Sequence, residues 1–345
     1  MNHGKWNAIT DVPGVQVGHV TLEEQLPNGD FVCTGVTAIL PHSGNMFTEK
    51  VPAASFVLNG FGKTAGLIQI EELGVIESPI MLTNTFSVGA VLEGTLAHML
   101  DENPSIGDST SSLNVVVGEC NDSYLNSMRL MQVKPHHASE AIHNATSGPF
   151  EQGAVGAGKG MICFGMKGGI GSSSRSVQKN DANYTVGVLT LTNFGKVEEC
   201  KIADWLRQHG SEALNVIPQS DADDVKPDGS VMIIVATDAP VNERQLKRFA
   251  KRAAIGLGRT GTHIHNGSGD IIIAFSNGFT IPHNSEQLTT TYECLRDDHP
   301  IMNNLFQAVI EATEEAVYQS MIHAKTTNGR QGRIVEKWPL SKTSS

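Results

Sequence analysis

The residues best placed to do chemistry stand where a loop ends and a buried strand begins: Asp228-Gly229-Ser230, followed by Val231-Met232-Ile233-Ile234-Val235. Gly229 has no Cβ, so its peptide tolerates strain, and the Ser230 hydroxyl can attack the preceding carbonyl to form an ester that water opens. A new N-terminal serine results. Its α-amine, with an unperturbed pKa of ~7.7–8.0, is partly neutral at pH 7 and can act as base for its own hydroxyl. No histidine is then needed.

The other motifs lack the context their chemistry requires. Gly153-Ala-Val-Gly-Ala-Gly158-Lys159 has phosphate-loop spacing, but Gly160 stands where the magnesium-binding Ser or Thr belongs, which points to a Gly-rich structural turn. Gly256-Leu-Gly258-Arg-Thr-Gly261 matches the dinucleotide fingerprint yet follows a helical pattern where a strand is required, so it is expected as a helix-end loop. His136-His137 and His263-x-His265 have no neighbouring Cys or carboxylate to complete a metal set and are expected as surface or hydrogen-bonded loop histidines. No Gly-x-Ser-x-Gly elbow supports a Ser-His-Asp triad.

The elements that must position these residues alternate along the chain. Apolar, β-branched runs predict strands over 113–117, 161–164, 184–191, 231–235 and 271–275, and helical spacing predicts helices over 63–73, 88–100, 243–254 and 302–321. Two segments read as loops: the Gly- and Ser-rich 153–174, suited to lining a pocket, and 208–228, whose Asp221, Asp223 and Asp224 mark an exposed connection. No repeat of fixed period is present.

With 25 Lys+Arg against 36 Asp+Glu the net charge is −11, so the chain has no basic field for nucleic acid. The longest apolar runs are strand-length, far below the ~20 residues that cross a bilayer, and no membrane segment is expected. The N-terminal residues lack the apolar stretch of a secretory signal, and the expected location is cytoplasmic. The five scattered cysteines, without a Cys-x-x-Cys pair, are expected as reduced thiols.

A set of short motifs carries a family resemblance. They are Asp11-Val-Pro-Gly14-Val-Gln-Val-Gly18-His19, Asn59-Gly60, Val117-Gly118-Glu119 with Asn121-Asp122-Ser-Tyr124-Leu125-Asn126, and Gly153 to Gly158. Further on stand Lys167-Gly-Gly-Ile-Gly171 with Ser174-Arg175, Asn193-Phe-Gly195, Asp228-Gly-Ser230, Ala236-Thr-Asp-Ala-Pro240 and Gly267-Ser268-Gly269-Asp270. In combination, from about residue 8 to 321, the chain resembles the self-processing serine aminopeptidases that include the L-aminopeptidase/D-amino-acid esterase-amidase and the β-peptidyl aminopeptidases.

The resemblance implies an α+β fold, a four-layer αββα sandwich of the type shared with ornithine acetyltransferase. It implies one hydrolase domain over 1–345, cut at Gly229-Ser230 into an alpha subunit 1–229 and a beta subunit 230–345 that stay together. The nucleophile falls on Ser230, the second serine and its carboxylate on Ser268 and Asp270, the oxyanion donor on Asn193 and the substrate-amine carboxylate on Glu119, with Tyr124 in the same substrate-binding motif. Some members carry Glu where this chain has the shorter Asp270. An amide donor at a strand end suits an oxyanion, and a carboxylate at Glu119 would pair with a substrate ammonium.

The expected activity is release of N-terminal residues from short peptides, or cleavage of amino-acid amides and esters, through an acyl-Ser230 intermediate. No metal or organic cofactor is expected, and a homo-oligomer is. Alternatives are an amidase on ω-amino-acid oligomers or an acyltransferase of the same fold, relatives that use Thr where this chain has Ser230, and an unprocessed small-molecule-binding protein.

Overall fold

A computed structural model describes residues 1–179, 182–209 and 229–339 of the 345. The longer strands, in chain order, are β1 (Gln16–Gln25), β2 (Phe31–Leu40), β3 (Glu49–Gly60), β4 (Ile80–Asn84), β5 (Val116–Cys120), β6 (Ile170–Lys179), β7 (Ala182–Asn193), β8 (Ser230–Thr237) and β9 (Gly269–Ser276). The helices are α1 (Leu67–Leu73), α2 (Val88–Glu102), α3 (Pro135–His143), α4 (Ile202–Gln208), α5 (Glu243–Arg259) and α6 (Ile301–Ile322). One sheet has the order β1-β2-β4-β5; the second runs from the short Ile281–Pro282 strand through β3-β9-β8-β7 to β6.

Period-two alternation explains why the two sheets stack and why helices cover both outer faces. In β8, Met232, Ile234 and Ala236 enter the core between the sheets, while Val231, Ile233 and Val235 enter the core beneath α5 and α6. The first sheet alternates the same way. Ile39, Ile80, Leu82 and Val116 face the shared core, and Ala38, Met81 and Val117 face a third core closed by Val91 of α2 and Ala138, Ala141 and Ile142 of α3. The layers are therefore α2/α3, first sheet, second sheet and α5/α6, in agreement with the expected αββα sandwich. Helix α5 begins at a capping box: the Asn242 side chain accepts from Gln245 N–H, and the Gln245 side chain accepts from Asn242 N–H.

Several expectations about the elements need adjustment. The helix expected from residue 63 starts at Leu67, because Ala65 exchanges two backbone bonds with Val117 and Gly66 turns the chain at φ 85°. Residues 170–174 are not loop but the start of β6. Their small side chains let α6 lie close: a Cβ on Gly171 would stand 1.9 Å from Ala316 O. The strand expected over 113–117 begins at Val116, since Asn114 N–H is drawn to Glu77 and Val116 N–H to Ser78 Oγ. Of the expected acidic connection, residues 210–228, with Asp221, Asp223, Asp224 and Asp228, lie outside the described residues.

Candidate active site

Strand register gathers the residues singled out in the second sheet. Ser230 opens β8 and stands opposite Asn193, the last residue of antiparallel β7, and opposite Gly269, the first residue of parallel β9. Ser268 precedes that glycine and Asp270 follows it. Three adjacent strand ends thus present one serine hydroxyl, one amide and one serine–carboxylate pair at the same edge of the sandwich.

Around Ser230 two donors converge at the long end of hydrogen-bond distance. Its Oγ, on a residue only 4% exposed, accepts from Asn121 N–H at 3.3 Å and faces Asn193 Nδ2 at 3.5 Å. Ile162 N–H donates to Asn193 Oδ1 at 3.1 Å, which fixes the amide so that its donor end points at the serine. Ser268 Oγ donates to Asp270 Oδ1 at 2.7 Å, and the other carboxylate oxygen of Asp270 is buried without a partner among the described residues. Burial raises the Asp270 carboxyl to about 6, against the lowering effect of the Ser268 bond. Gly229 sits in a tight place, where a Cβ would lie 3.1 Å from Ser268 Oγ and from Phe194 Cβ. Its carbonyl oxygen accepts from Gly269 N–H at 3.1 Å.

Glu119 reaches this edge from the other sheet. The link is the segment after β3: Phe61 N–H donates to Ser268 O, Lys63 N–H donates to Glu119 Oε1 at 2.9 Å, and Ala65 pairs with Val117. Thr85 Oγ1 donates to the second carboxylate oxygen. Gly62 separates the two sides, for an added Cβ would be 3.8 Å from both Glu119 Oε1 and Gly269 Cα. The Glu119 carboxylate is buried without a cationic side chain in salt-bridge contact among the described residues. Such a group suits an incoming ammonium.

Tyr124 belongs to a different environment. It packs with Phe31, Cys33, Leu125, Ile162 and Val335, under the Arg333 guanidinium at 4.4 Å, and its backbone carbonyl accepts from Arg333 Nη1 at 2.9 Å. Nothing in the sequence marks the Asn121 backbone N–H or Thr85, and Asn59 stands there only as part of a motif; Asn59 Nδ2 donates to Ser268 O at 2.6 Å and so holds the turn that carries Ser268. Cys120, beside Glu119, is fully buried, and burial holds its thiol well above the ordinary range, so it remains protonated next to Ser230.

One glycine motif needs correction: Gly256 and Gly258, expected in a helix-end loop, lie inside α5, which runs past the expected end at 254 to Arg259, and of the three glycines Gly261 alone falls beyond the helix. Gly256 lets α6 approach, since a Cβ there would be 2.5 Å from Ile310 O. The His136 and His137 rings touch in a tilted arrangement with centroids 4.0 Å apart, and His265 meets Glu199 at 3.0 Å. No group of three or more His, Cys, Asp or Glu that could hold a metal occurs among the described residues, and no described helix is long and apolar enough to cross a membrane.

Known proteins share this chain's sequence and shape nearly end to end. The family model described as Peptidase family S58 matches residues 7–335. The beta-peptidyl aminopeptidase BapA of Sphingosinicella microcystinivorans is 39% identical, over 97% of this chain and 86% of the relative. Among solved structures, the PH0078 protein of Pyrococcus horikoshii OT3 has a TM-score of 0.88 at 48% identity, covering 98% of this chain and 92% of the other. The L-aminopeptidase D-Ala-esterase/amidase of Ochrobactrum anthropi, described as a prototype serine aminopeptidase and a variant of the Ntn hydrolase fold, has a TM-score of 0.87 at 33% identity, with 97% and 92% covered. Together with a serine at the meeting point of three strand ends, these matches place the chain: it belongs to peptidase family S58.

Proposed function

We propose that the protein is a serine aminopeptidase and amidase that releases N-terminal residues from short peptides or cleaves amino-acid amides and esters, after cutting itself at Gly229-Ser230. The observation that carries this reading is the register that sets Ser230 opposite Asn193 and beside the Ser268–Asp270 pair. In self-cleavage, Ser230 Oγ bonds to the Gly229 carbonyl carbon, whose oxygen is already held by Gly269 N–H. The bond to Ser230 nitrogen then breaks, leaving an ester and a free amine. Water hydrolyses the ester, giving the Gly229 carboxylate and restoring the hydroxyl.

In turnover, the freed α-amine of Ser230 takes the proton of its own hydroxyl as Oγ attacks the substrate carbonyl. It returns that proton to the leaving amine, and water then releases the acyl group. Asn193 Nδ2 and Asn121 N–H, both directed at Ser230 Oγ, are donors for the oxyanion. Ser268 and Asp270 hold the α-amine and its proton, while Glu119 takes the substrate ammonium. Tyr124 acts as packing against Leu125 and Ile162. The named activities of the matched relatives support this substrate class. The reading includes a cytoplasmic homo-oligomer, which size-exclusion chromatography and fractionation test.

The decisive experiment is a denaturing gel with N-terminal sequencing. Wild type should give fragments of 229 and 116 residues, the second beginning at Ser230, that co-elute under native conditions because β8 and β9 are central strands of the second sheet. Ser230→Ala should give one full-length, inactive band. Full-length wild type that hydrolyses peptides would refute the N-terminal-nucleophile mechanism.

A further inference from the structure

Lys167 is fully buried, yet no carboxylate lies in salt-bridge contact with it among the described residues. Its Nζ donates instead to three backbone carbonyls: Gly158 O at 3.0 Å, Met161 O at 2.7 Å and Gly168 O at 2.8 Å. Three acceptors match the three N–H bonds of an ammonium, so the charged form is satisfied. A buried, uncompensated cation is costly to keep for packing alone.

The central acceptor leads to the nucleophile. Met161 C=O and Ile162 N–H belong to the same peptide group, and that N–H donates to Asn193 Oδ1. The Asn193 Nδ2 end then faces Ser230 Oγ. A charge donating to the carbonyl end of a peptide makes its N–H a stronger donor, and a donor on the oxygen of a side-chain amide does the same to its NH₂, so bonds in such a chain reinforce each other. We propose that Lys167 is a positioning residue for the oxyanion donor, acting through the Met161–Ile162 peptide to orient and polarise the Asn193 amide. The inference rests on Asn193 being that donor.

The relay gives Lys167 a charge-dependent role as well as a structural one. Burial brings its ammonium from the ordinary 10.5 down to about 7. The titratable groups facing it are Cys33 on β2, Cys163, Asp122, and Lys159, which is paired with Glu23 on β1. Both thiols are pushed up by burial, so they stay neutral, whereas burial brings the Asp122 carboxyl to about 7. Asp122 is therefore the other group in this set that changes charge near Lys167 in the same range.

A double-mutant cycle tests the relay on isolated, processed protein. Lys167→Met keeps an unbranched side chain and removes charge and donors. It should lower kcat about 10-fold with KM little changed in the wild-type background, and less than 2-fold in the Asn193→Ala background, because the relay then has no end. An equal penalty in both backgrounds overturns the inference. Asn193→Ala with wild-type kcat overturns the oxyanion assignment itself, a distinguishable failure.

A second measurement serves if Lys167→Met does not fold. The rate of Ser230 acylation by p-nitrophenyl acetate, which has no amine of its own, is followed from pH 5 to 9. The ratio of the rate to that of Asn193→Ala, which cancels the rise from deprotonation of the Ser230 α-amine, should fall near pH 7 as Lys167 loses its proton, in wild type and in Asp122→Asn alike. A ratio that stays flat across this range, or one whose fall disappears in Asp122→Asn, overturns the relay.

Discussion

Asp270 sits where its charged form is disfavoured. Its carboxyl is buried, one oxygen accepts from Ser268 and the other has no partner among the described residues, and burial raises its pKa from 3.8 to about 6. A raised folded-state pKa contributes stability that is fully present below pH 3.8 and is lost as pH rises through 6. Asp270→Asn should therefore raise stability at pH 8 by ~1–3 kcal/mol, with the gain vanishing near pH 4, while peptide hydrolysis is lost. Urea unfolding of both proteins at the two pH values checks this. An equal effect at both would show that ionisation of Asp270 costs the fold nothing. At this scale the sequence revealed side chains that act by their own chemistry: Ser230, Asn193, Ser268, Asp270 and Glu119 stand in motifs, and strand ends bring the first four together. It could not reveal the Asn121 N–H or the three carbonyls around Lys167, because any residue type supplies a backbone group and only the fold aims it.

Elements were legible where burial on both faces leaves an unbroken apolar run. Strands β8 and β9 were expected at 231–235 and 271–275 and extend only one to two residues further at each end. Strands β2 and β3 were missed, since Thr34, Gly35 and Thr37 interrupt the first and Lys50, Pro52 and Ser55 the second. Tertiary pairing decides both. Helix α5 shows the opposite case, in which a motif has a physical reason unrelated to its usual one. Gly256 is needed because α6 crosses against it, whereas a Cβ on Gly258 would meet nothing within 4 Å. Gly256→Ala should destabilise the protein by ~1–3 kcal/mol through overpacking, and Gly258→Ala should stabilise it by ~0.4–1 kcal/mol by restricting the unfolded chain. Thermal or urea unfolding of the pair measures both. Equal effects of one sign would show that helix contact does not set the choice of glycine.

On the scale of the whole molecule, the two sheets divide the work. Ser230, Asn193, Ser268 and Asp270 stand at strand ends of the second sheet, Glu119 and the Asn121 N–H at the end of β5 in the first, and the segment through Phe61, Lys63 and Ala65 is bonded to both. The spacing between the Glu119 carboxylate and Ser230 is thus set by how the sheets pack, through a core of close-fitting side chains that deforms little. With Glu119 taking the ammonium as proposed, a substrate would be measured from its ammonium to its first carbonyl, with position read more strictly than side chain. An ammonium–carboxylate contact in a partly desolvated site contributes ~1.5–3 kcal/mol, so N-acetylation should lower kcat/KM by roughly 10–200-fold. Glu119→Gln should narrow the gap between free and acetylated peptides by weakening the free one, because the amide keeps the shape but not the charge. Acyl transfer to Ser230 should persist in that variant, visible as a covalent adduct by mass spectrometry. The measurement is kcat/KM for a matched pair of peptides in wild type and variant. Equal efficiency on both peptides in wild type would remove Glu119 from amine recognition and leave a general amidase in its place.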